Sequence, residues 1–187
     1  MICGIDEAGR GPLAGPVCAA AVILGEKFKC KLLNDSKKMT TKSREEAKRI
    51  ICEEALAWGV GWTSHTEIDR INILQASLLA MKRAFDEMMT RASLPSGVNF
   101  TAIIDGLYVP DISVPCTAMV KADAKVSEVM AASILAKQTR DSYMDEMAAL
   151  YPLYGYDKHK GYPTRMHREM IRKYGPSPIQ RMSFRIS

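Results

Sequence analysis

The sequence lacks the features of membrane, secreted and disulfide-rich proteins. None of its apolar runs reaches the roughly 18 to 20 residues that a membrane-spanning helix needs, and no charged lead precedes Met1-Ile2-Cys3. Its five cysteines are odd in number, scattered and free of C-x-x-C spacing, which is typical of reduced, buried thiols. We therefore expect a soluble, cytoplasmic protein with no membrane partner.

The chain also shows no repeat, linker or low-complexity segment. With 187 residues, of which 47% are hydrophobic, it is long enough to bury a substantial core, and we expect a single domain over residues 1–187. Motifs of covalent catalysis and nucleotide binding are missing too, since there is no Gly-x-Ser-x-Gly elbow, no catalytic Cys-His pair and no P-loop. A protein nucleophile is therefore not expected.

What the chain does have is an acidic pair at the end of an apolar N-terminal strand. Asp6 and Glu7 lead directly into Gly9-Arg10-Gly11. Glycines let a backbone come close to a bulky anion, and the arginine fork can grip a phosphate with two donors. Because bare carboxylates and phosphates repel each other, such a site needs cations between them. This pattern predicts a metal-dependent enzyme that acts on a phosphodiester or a phosphoanhydride.

Two more acids follow short apolar strands. Asp105 comes after a predicted strand at 100–104, and Asp123 lies between a predicted strand at 116–120 and a long helix. A single aspartate at a strand end is usually a turn residue or a helix cap, so neither would predict a metal ligand alone. Oxygen ligands without histidine in the same motifs favour Mg²⁺ or Mn²⁺ over zinc.

The net charge of +5 is unevenly divided along the chain. Residues 157–187 hold eight Lys or Arg against two acids, a net charge of +6, which leaves about −1 for residues 1–156. A basic segment beside an acidic site suits a polyanionic substrate, since one part can bind backbone phosphates while the other holds metals. The alternative is a merely solvated tail.

Alternating hydrophobic periodicities predict a layered α/β domain. The predicted strands cover residues 1–6, 17–24, 60–63, 100–104 and 116–120, and the predicted helices cover 41–58, 74–92, 125–150 and 164–174. In the last helix, one face is predicted to join the core and another to contact phosphate. The core face holds Met166, Met170 and Tyr174, and the phosphate face holds Arg165, Arg168 and Arg172.

Five stretches, in this order, resemble type 2 ribonuclease H, the ribonuclease HII family. They are GIDEAGRGPLAGPV (4–17), LNDSKKMT (33–40), IIDG (103–106), KADAKVSEVMAASILAK (121–137) and HKGYPT (159–164). The resemblance implies a ribonuclease H-like α/β fold, a five-stranded mixed sheet flanked by helices, with the first strand beside the fourth. It also implies a helical, basic, substrate-binding segment at 157–187.

The resemblance implies a metal site as well. Asp6, Glu7, Asp105 and Asp123 would be catalytic residues and metal ligands, with Asp6 and Asp105 bridging two Mg²⁺ or Mn²⁺ ions. One ion would activate the attacking water and the other, roughly 4 Å away, would stabilise the leaving 3′-oxygen. Glu7 poses a difficulty, because successive strand side chains point to opposite faces. Either the strand ends at Asp6, or Glu7 uses its main-chain carbonyl or its longer side chain.

By the same resemblance, the substrate is the RNA strand of an RNA/DNA hybrid or a single ribonucleotide in duplex DNA. Cleavage on the 5′ side of a ribonucleotide would leave 3′-hydroxyl and 5′-phosphate ends. Main-chain groups of Gly9, Arg10 and Gly11 would contact the 2′-hydroxyl and the adjoining phosphate. Tyr162, in a rigid Gly-Tyr-Pro loop, would stack on the next sugar, although from the residues alone a core tyrosine is equally compatible.

The remaining candidates for substrate binding are Lys37, Lys38, Ser127, Ser133 and Arg165. The lysines are phosphate ligands or solvated loop charge, and the serines face substrate or are merely tolerated in a helix. His159 and His167 flank Tyr162 in a basic region, and we predict that they touch phosphate rather than metal. His65 is predicted to lie in an exposed loop.

Three alternative functions fit the sequence less well. Ribonuclease HIII adds an N-terminal domain, for which we expect no room before Met1-Ile2. A junction resolvase or transposase gives no reason for the Gly-Arg-Gly loop, and a non-catalytic nucleic-acid-binding module predicts a basic face without clustered acids. The C-terminal residues match the family's basic closing motif only in part and show no tail for a sliding-clamp partner, which argues against a clamp interaction. We expect a monomer.

Overall fold

The computed structural model of the protein describes residues 1–26, 28, 33, 39–92 and 99–186. The strands are β1 (Ile2–Ala8), β2 (Val17–Ile23), β3 (Ala57–Thr63), β4 (Thr101–Asp105) and β5 (Cys116–Met119). The helices are α1 (Thr41–Glu54), α2 (His65–Arg91), α3 (Ser127–Leu150), α4 (Tyr156–His159) and α5 (Arg165–Tyr174), with short 3₁₀ turns at Ala122–Ala124 and Pro152–Tyr154. Within these residues, no helix has both the length and the apolar content that crossing a membrane requires.

The five strands form one mixed sheet in the order β3-β2-β1-β4-β5. β1 is antiparallel to β2 and parallel to β4, and β4 is parallel to β5. The predicted mixed sheet, with its first strand beside its fourth, is confirmed. Because parallel neighbours end at the same edge of a sheet, this pairing brings the carboxyl ends of β1 and β4 together.

Strand β2 is buried along its whole length between two helical layers. On one face, α2 packs against β1, β2 and β3 with Phe85 and Met88. On the other face, α1 and α3 contribute Ile51 and Leu135. Burial of such a side chain contributes about 1.5 to 3 kcal/mol, so the two layers fix the sheet between them. The predicted helices on both faces are confirmed.

Gly4 brings α3 close to the centre of the sheet. A Cβ at this position would collide with the backbone of Glu128 and Val129, in the first turn of α3. The missing side chain therefore lets the start of α3, and the Ala122–Ala124 turn just before it, lie beside β1. This contact places Asp123 at the end of the sheet where β1 and β4 finish.

The predicted helix 41–58 is wrong at its end. Helix α1 stops at Glu54, and Trp58 lies in strand β3, where its Nε1 donates a hydrogen bond to the Cys52 carbonyl. Gly59 follows directly after the predicted helix, the position typical of a glycine that ends a helix. In the structure this glycine lets α2 approach, because a Cβ there would collide with the backbone of Ala84 and Met88.

Helix α2 begins earlier than the predicted residue 74. Ser64 caps its N-terminus, and Glu67 completes a capping box by accepting from the Ser64 backbone N–H. His65, predicted in an exposed loop, is the first helical residue and is half-buried. The helix is kinked at Asn72, whose φ is 67°. The predicted helix corresponds to the part of α2 beyond this kink, where Met81, Phe85 and Met88 are buried at three- to four-residue spacing.

Candidate active site

Three aspartates converge at the shared edge of β1 and β4. One carboxylate oxygen from each of Asp6, Asp105 and Asp123 lies within 4.8 Å of the others. Asp6 is near the end of β1, Asp105 ends β4, and Asp123 comes from the turn that precedes α3. The Asp105 Oδ1 accepts a hydrogen bond from the backbone N–H of Ala122 at 2.8 Å, which ties the second acid to the turn that carries the third.

Asp6 is the most deeply buried of the three. Its Oδ1 accepts a hydrogen bond from the Glu7 backbone N–H at 2.7 Å, and Ser133 on α3 is a side-chain hydrogen-bond partner. Burial raises the pKa of Asp6 well above its ordinary range, and the charges of Glu7 and Asp105 raise it further. The site therefore concentrates negative charge that the protein alone stabilises poorly.

Glu7 lies beside this cluster rather than in it. Strand β1 continues to Ala8, so the alternative in which the strand ends at Asp6 is wrong. The Glu7 Oε1 accepts from Arg10 Nη1 at 3.4 Å, while its Oε2 is buried and has no hydrogen-bond partner among the described residues. Burial raises the pKa of Glu7, and Arg10 partly offsets this shift.

These donors suit a hard divalent cation. Three carboxylates share a space that one or two ions could occupy, and a fourth, that of Glu7, presents a buried oxygen that accepts no hydrogen bond from the described residues. A buried acceptor without a partner is costly, and oxygen-only sites favour Mg²⁺ or Mn²⁺. The residues present therefore fit a divalent-metal site.

The acids open into a cavity of about 260 Å³ that also contains most of the predicted substrate-binding residues. Its lining consists of Asp6, Glu7, Ala8, Gly9, Arg10, Gly11, Asp105, Asp123, Ser133, Lys137 and Tyr162. Sequence reasoning missed Lys137, whose Nζ donates to Asp141 at 2.8 Å and lies 5.9 Å from the centroid of the Tyr162 ring. The available signal was its position four residues after Ser133, on the same helix face.

Two buried arginines bind the backbone of the loop of residues 9–16. Arg140 on α3 and Arg181 near the C-terminus are 1% and 0% exposed. Arg181 donates to the carbonyl oxygens of Gly9, Arg10, Gly15 and Pro16, and Arg140 donates to those of Ala14, Pro16 and Lys160. Sequence reasoning counted Arg181 with the basic excess of 157–187, but its charge is turned inward.

A sequence model of the family Ribonuclease HII matches residues 3–187. The chain belongs to the ribonuclease HII family. It is 52% identical over 194 aligned residues to the "Ribonuclease HII" of Treponema denticola, covering 98% of each chain. Membership makes it a ribonuclease H-type enzyme, a metal-dependent endonuclease of the hydrolase class.

Solved structures of this enzyme group share the fold. The ribonuclease H2 of Pyrococcus horikoshii OT3 superposes with a TM-score of 0.74 and 26% identity, over 99% of this chain and 94% of that one. A crystal structure of Bst-RNase HIII in complex with Mn²⁺ gives a TM-score of 0.79 at 19% identity, over 98% of this chain and 66% of that one. The second comparison shows the fold alone.

The ring of Tyr162 stands at the mouth of this ribonuclease HII cavity, next to Gly11. It is 41% exposed, and a Cβ on Gly11 would be in ordinary contact with it at 3.5 Å. The structure therefore supports the exposed-ring interpretation of Tyr162 over the core one. Its loop is anchored to residues 9–16 by a hydrogen bond from the Leu13 N–H to the Gly161 carbonyl.

His159 and His167 pack behind the Tyr162 loop in the protein interior. The prediction that they touch phosphate is therefore wrong. Both are buried, and their rings stack at a centroid distance of 4.5 Å. His167 Nδ1 donates to the Tyr162 carbonyl, and His159 Nε2 donates to that of Tyr154. Burial lowers the pKa of both rings, so the uncharged form is favoured, which the neighbouring basic residues in the sequence did not indicate.

Of the remaining candidates, the structure describes Ser127 and Arg165, and neither lines the cavity. Ser127 is the first residue of α3 and does not line it, and Lys37 falls outside the described residues. Arg165 is exposed and forms an ion pair with Glu169 at 2.8 Å. The predicted core face of α5 is right for Met170, which is half-buried and packs against the core cluster around Tyr154 and Tyr156, and wrong for Tyr174, which is exposed. The fully buried residues of α5 are His167 and Ile171.

Proposed function

We propose that the enzyme cleaves the RNA strand of RNA/DNA hybrids and the bond 5′ to a single ribonucleotide in duplex DNA, leaving 3′-hydroxyl and 5′-phosphate ends. The observation that carries this proposal is the shared cavity. Carboxylates that suit metals, the Gly-Arg-Gly backbone and an exposed tyrosine ring line the same 260 Å³ space. Hydrolysis and recognition of a ribose would therefore occur within a few ångströms of each other.

Asp6, Asp105, Asp123 and Glu7 would hold the divalent ions, which we propose to be two Mg²⁺ or Mn²⁺. When bound, such ions lower the pKa of an attacking water and stabilise the leaving oxygen of a phosphodiester. Asp6 and Asp105 belong to adjacent strands, so the sheet itself sets the spacing between these two ligands. The hydrogen bond from Ala122 to Asp105 and that of Ser133 to Asp6 orient the two carboxylates.

The remaining groups of the cavity bind and orient the substrate. Arg10 carries a positive charge at the rim and is about half exposed, so it can move from Glu7 to a phosphate. The exposed ring of Tyr162 can pack on a sugar that lacks a 2′-hydroxyl, which would favour the junction between RNA and DNA. Lys137, which pairs with Asp141, lies 5.9 Å from the centre of that ring and would be close to a phosphate bound beside it.

A duplex with a single ribonucleotide tests the proposal on one gel. The wild-type enzyme with Mg²⁺ should cut it at the 5′ side of the ribonucleotide, and EDTA should abolish cutting. An all-DNA duplex of the same sequence is the control and should stay intact. Cutting of both duplexes, or of neither in Mg²⁺ and in Mn²⁺, would exclude the proposed substrate.

A further inference from the structure

Arg140 and Arg181 form an unusual pair of buried cations. All seven hydrogen bonds that their guanidinium groups make to described residues end on backbone carbonyls, which carry no net charge. A buried charge without an ionic partner is costly, and here burial and the charge of Arg140 lower the pKa of Arg181. An apolar residue would fill the same space at less cost, so the hydrogen bonds themselves require an explanation.

Two of the hydrogen bonds of Arg181 fix the orientation of the Gly9–Arg10 and Arg10–Gly11 peptide groups. Its Nη2 donates to the Gly9 carbonyl at 2.6 Å and its Nη1 to the Arg10 carbonyl at 3.0 Å. In a trans peptide, the C=O and the N–H of the same unit point in opposite directions. Carbonyls drawn inward to Arg181 therefore turn the N–H groups of Arg10 and Gly11 outward, to the side on which these residues line the cavity.

Those two N–H groups are available for a ligand. Within the described part of the chain, neither donates a hydrogen bond to another residue. A carbonyl that accepts from a cation polarises its own peptide group, which strengthens the N–H as a donor. Gly9 has a φ of 101°, and a Cβ there would collide with the Arg140 side chain, so the loop fits its support only with glycine at this position.

We propose that Arg181 is a positioning residue for substrate recognition, which acts by fixing the N–H groups of Arg10 and Gly11 toward an oxygen of the ribonucleotide. This inference rests on the proposed function. Arg140 completes the support, because it binds the Ala14 and Pro16 carbonyls at the other end of the loop. Arg181 would thus contribute to selectivity without touching the substrate.

The segment that carries Arg181 is itself anchored from α2. The Asp69 carboxylate accepts hydrogen bonds from the N–H groups of Met182 and Ser183 and from the Ser183 hydroxyl, all at 2.6 to 2.9 Å. On the other side, Arg181 N–H donates to the Leu13 carbonyl, and Gly15 N–H donates to that of Ile179. Asp69 is therefore a second point from which the position of Arg181 can be changed.

The first test replaces Arg181 with lysine, which keeps the charge but removes the fork. Selectivity is measured in Mg²⁺ as the Ki of an all-DNA duplex divided by the KM of the single-ribonucleotide duplex. We expect Arg181→Lys to lower this ratio at least about tenfold, since the charge-assisted hydrogen bonds to the Gly9 and Arg10 carbonyls are lost or weakened. Arg49→Lys, the same change at an exposed ion pair of α1, is the control and should keep the ratio. A folded Arg181→Lys enzyme with unchanged selectivity would overturn the proposal.

The second test avoids the buried site in case Arg181→Lys does not fold. Asp69→Asn weakens the anchor of residues 182 and 183, and we expect a loss of selectivity of about three- to tenfold. Asp86→Asn is the matched control, an exposed acid on the same helix. Unchanged selectivity in folded Asp69→Asn, as judged by circular dichroism, would also overturn the proposal.

A readout without substrate separates this inference from the proposed function. In protein labelled with ¹⁵N-glycine, the Gly11 amide proton of free Asp69→Asn should shift upfield relative to wild type, because its peptide group is less polarised. No shift would count against the positioning role. If wild type does not discriminate ribonucleotides but the shift is seen, the proposed function fails while the positioning of the loop stands.

Discussion

The protonation state of Asp6 depends on whether a cation is bound at the site. Burial, Glu7 and Asp105 all raise the pKa of its carboxyl, so without a cation the charged form is disfavoured. A divalent ion among the three aspartates would reverse this balance by attracting all three carboxylates. We therefore expect metal binding to release protons from the site.

Replacement of Asp105 by asparagine tests the metal site. The amide retains the shape and can still accept from the Ala122 N–H, but it loses the charge that attracts a divalent ion. We expect single-turnover cleavage of the ribonucleotide duplex to slow by at least roughly a thousandfold, as for loss of a ligand in a metal-dependent nuclease. The exposed Asp111→Asn variant is the control. Near-normal turnover in Asp105→Asn would contradict the assignment.

His167 makes the folded state sensitive to acid. Burial lowers its pKa from an ordinary value of 6.5 to about 4. Because the unfolded chain binds this proton more tightly, the stability contributed by the neutral ring is complete above about pH 6.5 and is lost as the pH falls toward 4. We expect a loss of about 2 kcal/mol over this range from His167.

Denaturant unfolding at several pH values measures this loss. His167→Gln, which has no titratable ring, should flatten the pH dependence between about 4 and 6.5. His65→Gln, a half-buried histidine at the start of α2, serves as the control. An equally steep pH dependence in His167→Gln would show that other groups cause it.

At the scale of elements, periodicity located the helices but not their ends. Hydrophobic spacing located the part of α2 beyond its kink and all but the first two residues of the predicted third helix, and the family resemblance supplied the position of the first strand beside the fourth. The ends depended on tertiary contacts, as at Gly59 and Gly61, where missing side chains admit the backbone of α2. A glycine is read locally as a helix stop or a turn, so close packing of this kind cannot be recognised from one sequence.

Gly4 offers the corresponding stability test. Gly4→Ala places a Cβ against the backbone of Glu128 and Val129, so α3 must move away from β1. We expect a loss of at least about 1 to 3 kcal/mol, typical of overpacking, together with reduced cleavage because the turn with Asp123 moves too. Gly25→Ala, where a Cβ would meet no atom within 4 Å, should change stability little. Equal unfolding free energies for the two variants would refute this account of the packing.

At the scale of the whole molecule, the basic C-terminal sixth of the chain divides into two roles. Arg181 is buried and faces the protein, whereas Arg165 and Arg172 on α5 are exposed. If the exposed pair contacts phosphates, binding should weaken as salt rises, with a log-log slope of about −0.9 per contact. We expect the Arg165→Ala/Arg172→Ala variant to have a less steep slope, by the amount that corresponds to up to about two phosphate contacts. Its preference for a ribonucleotide should be kept.

Fluorescence anisotropy of a labelled duplex over a range of salt concentrations measures this slope. The control is Arg49→Ala/Lys82→Ala, which removes two exposed cations from α1 and α2. If the α5 variant and the control give the same slope as wild type, the arginines of α5 are solvated and the duplex is bound elsewhere.

The sequence predicted the residues that line the cavity better than the buried residues that hold them in position. The acids, the Gly-Arg-Gly loop and Tyr162 stand in short motifs, and the structure brings them into one cavity. Arg140, Arg181 and the histidine pair gave no such signal, because a buried cation and an exposed one have the same letter in a sequence. Only the fold, which joins residues 9–16 to residues more than 120 positions away, shows which charges face inward.

The link between residues 9–16 and Arg181 also has a consequence during synthesis. The two partners are 165 to 172 positions apart, and at about 5 to 20 residues per second they leave the ribosome roughly 8 to 34 seconds apart. During that interval a nascent chain can contain all four acids while the loop beside them lacks its support. We expect ribosome-bound chains that end before Arg181 to be poor at distinguishing RNA from DNA, so full selectivity would arise only after Arg181 has been translated.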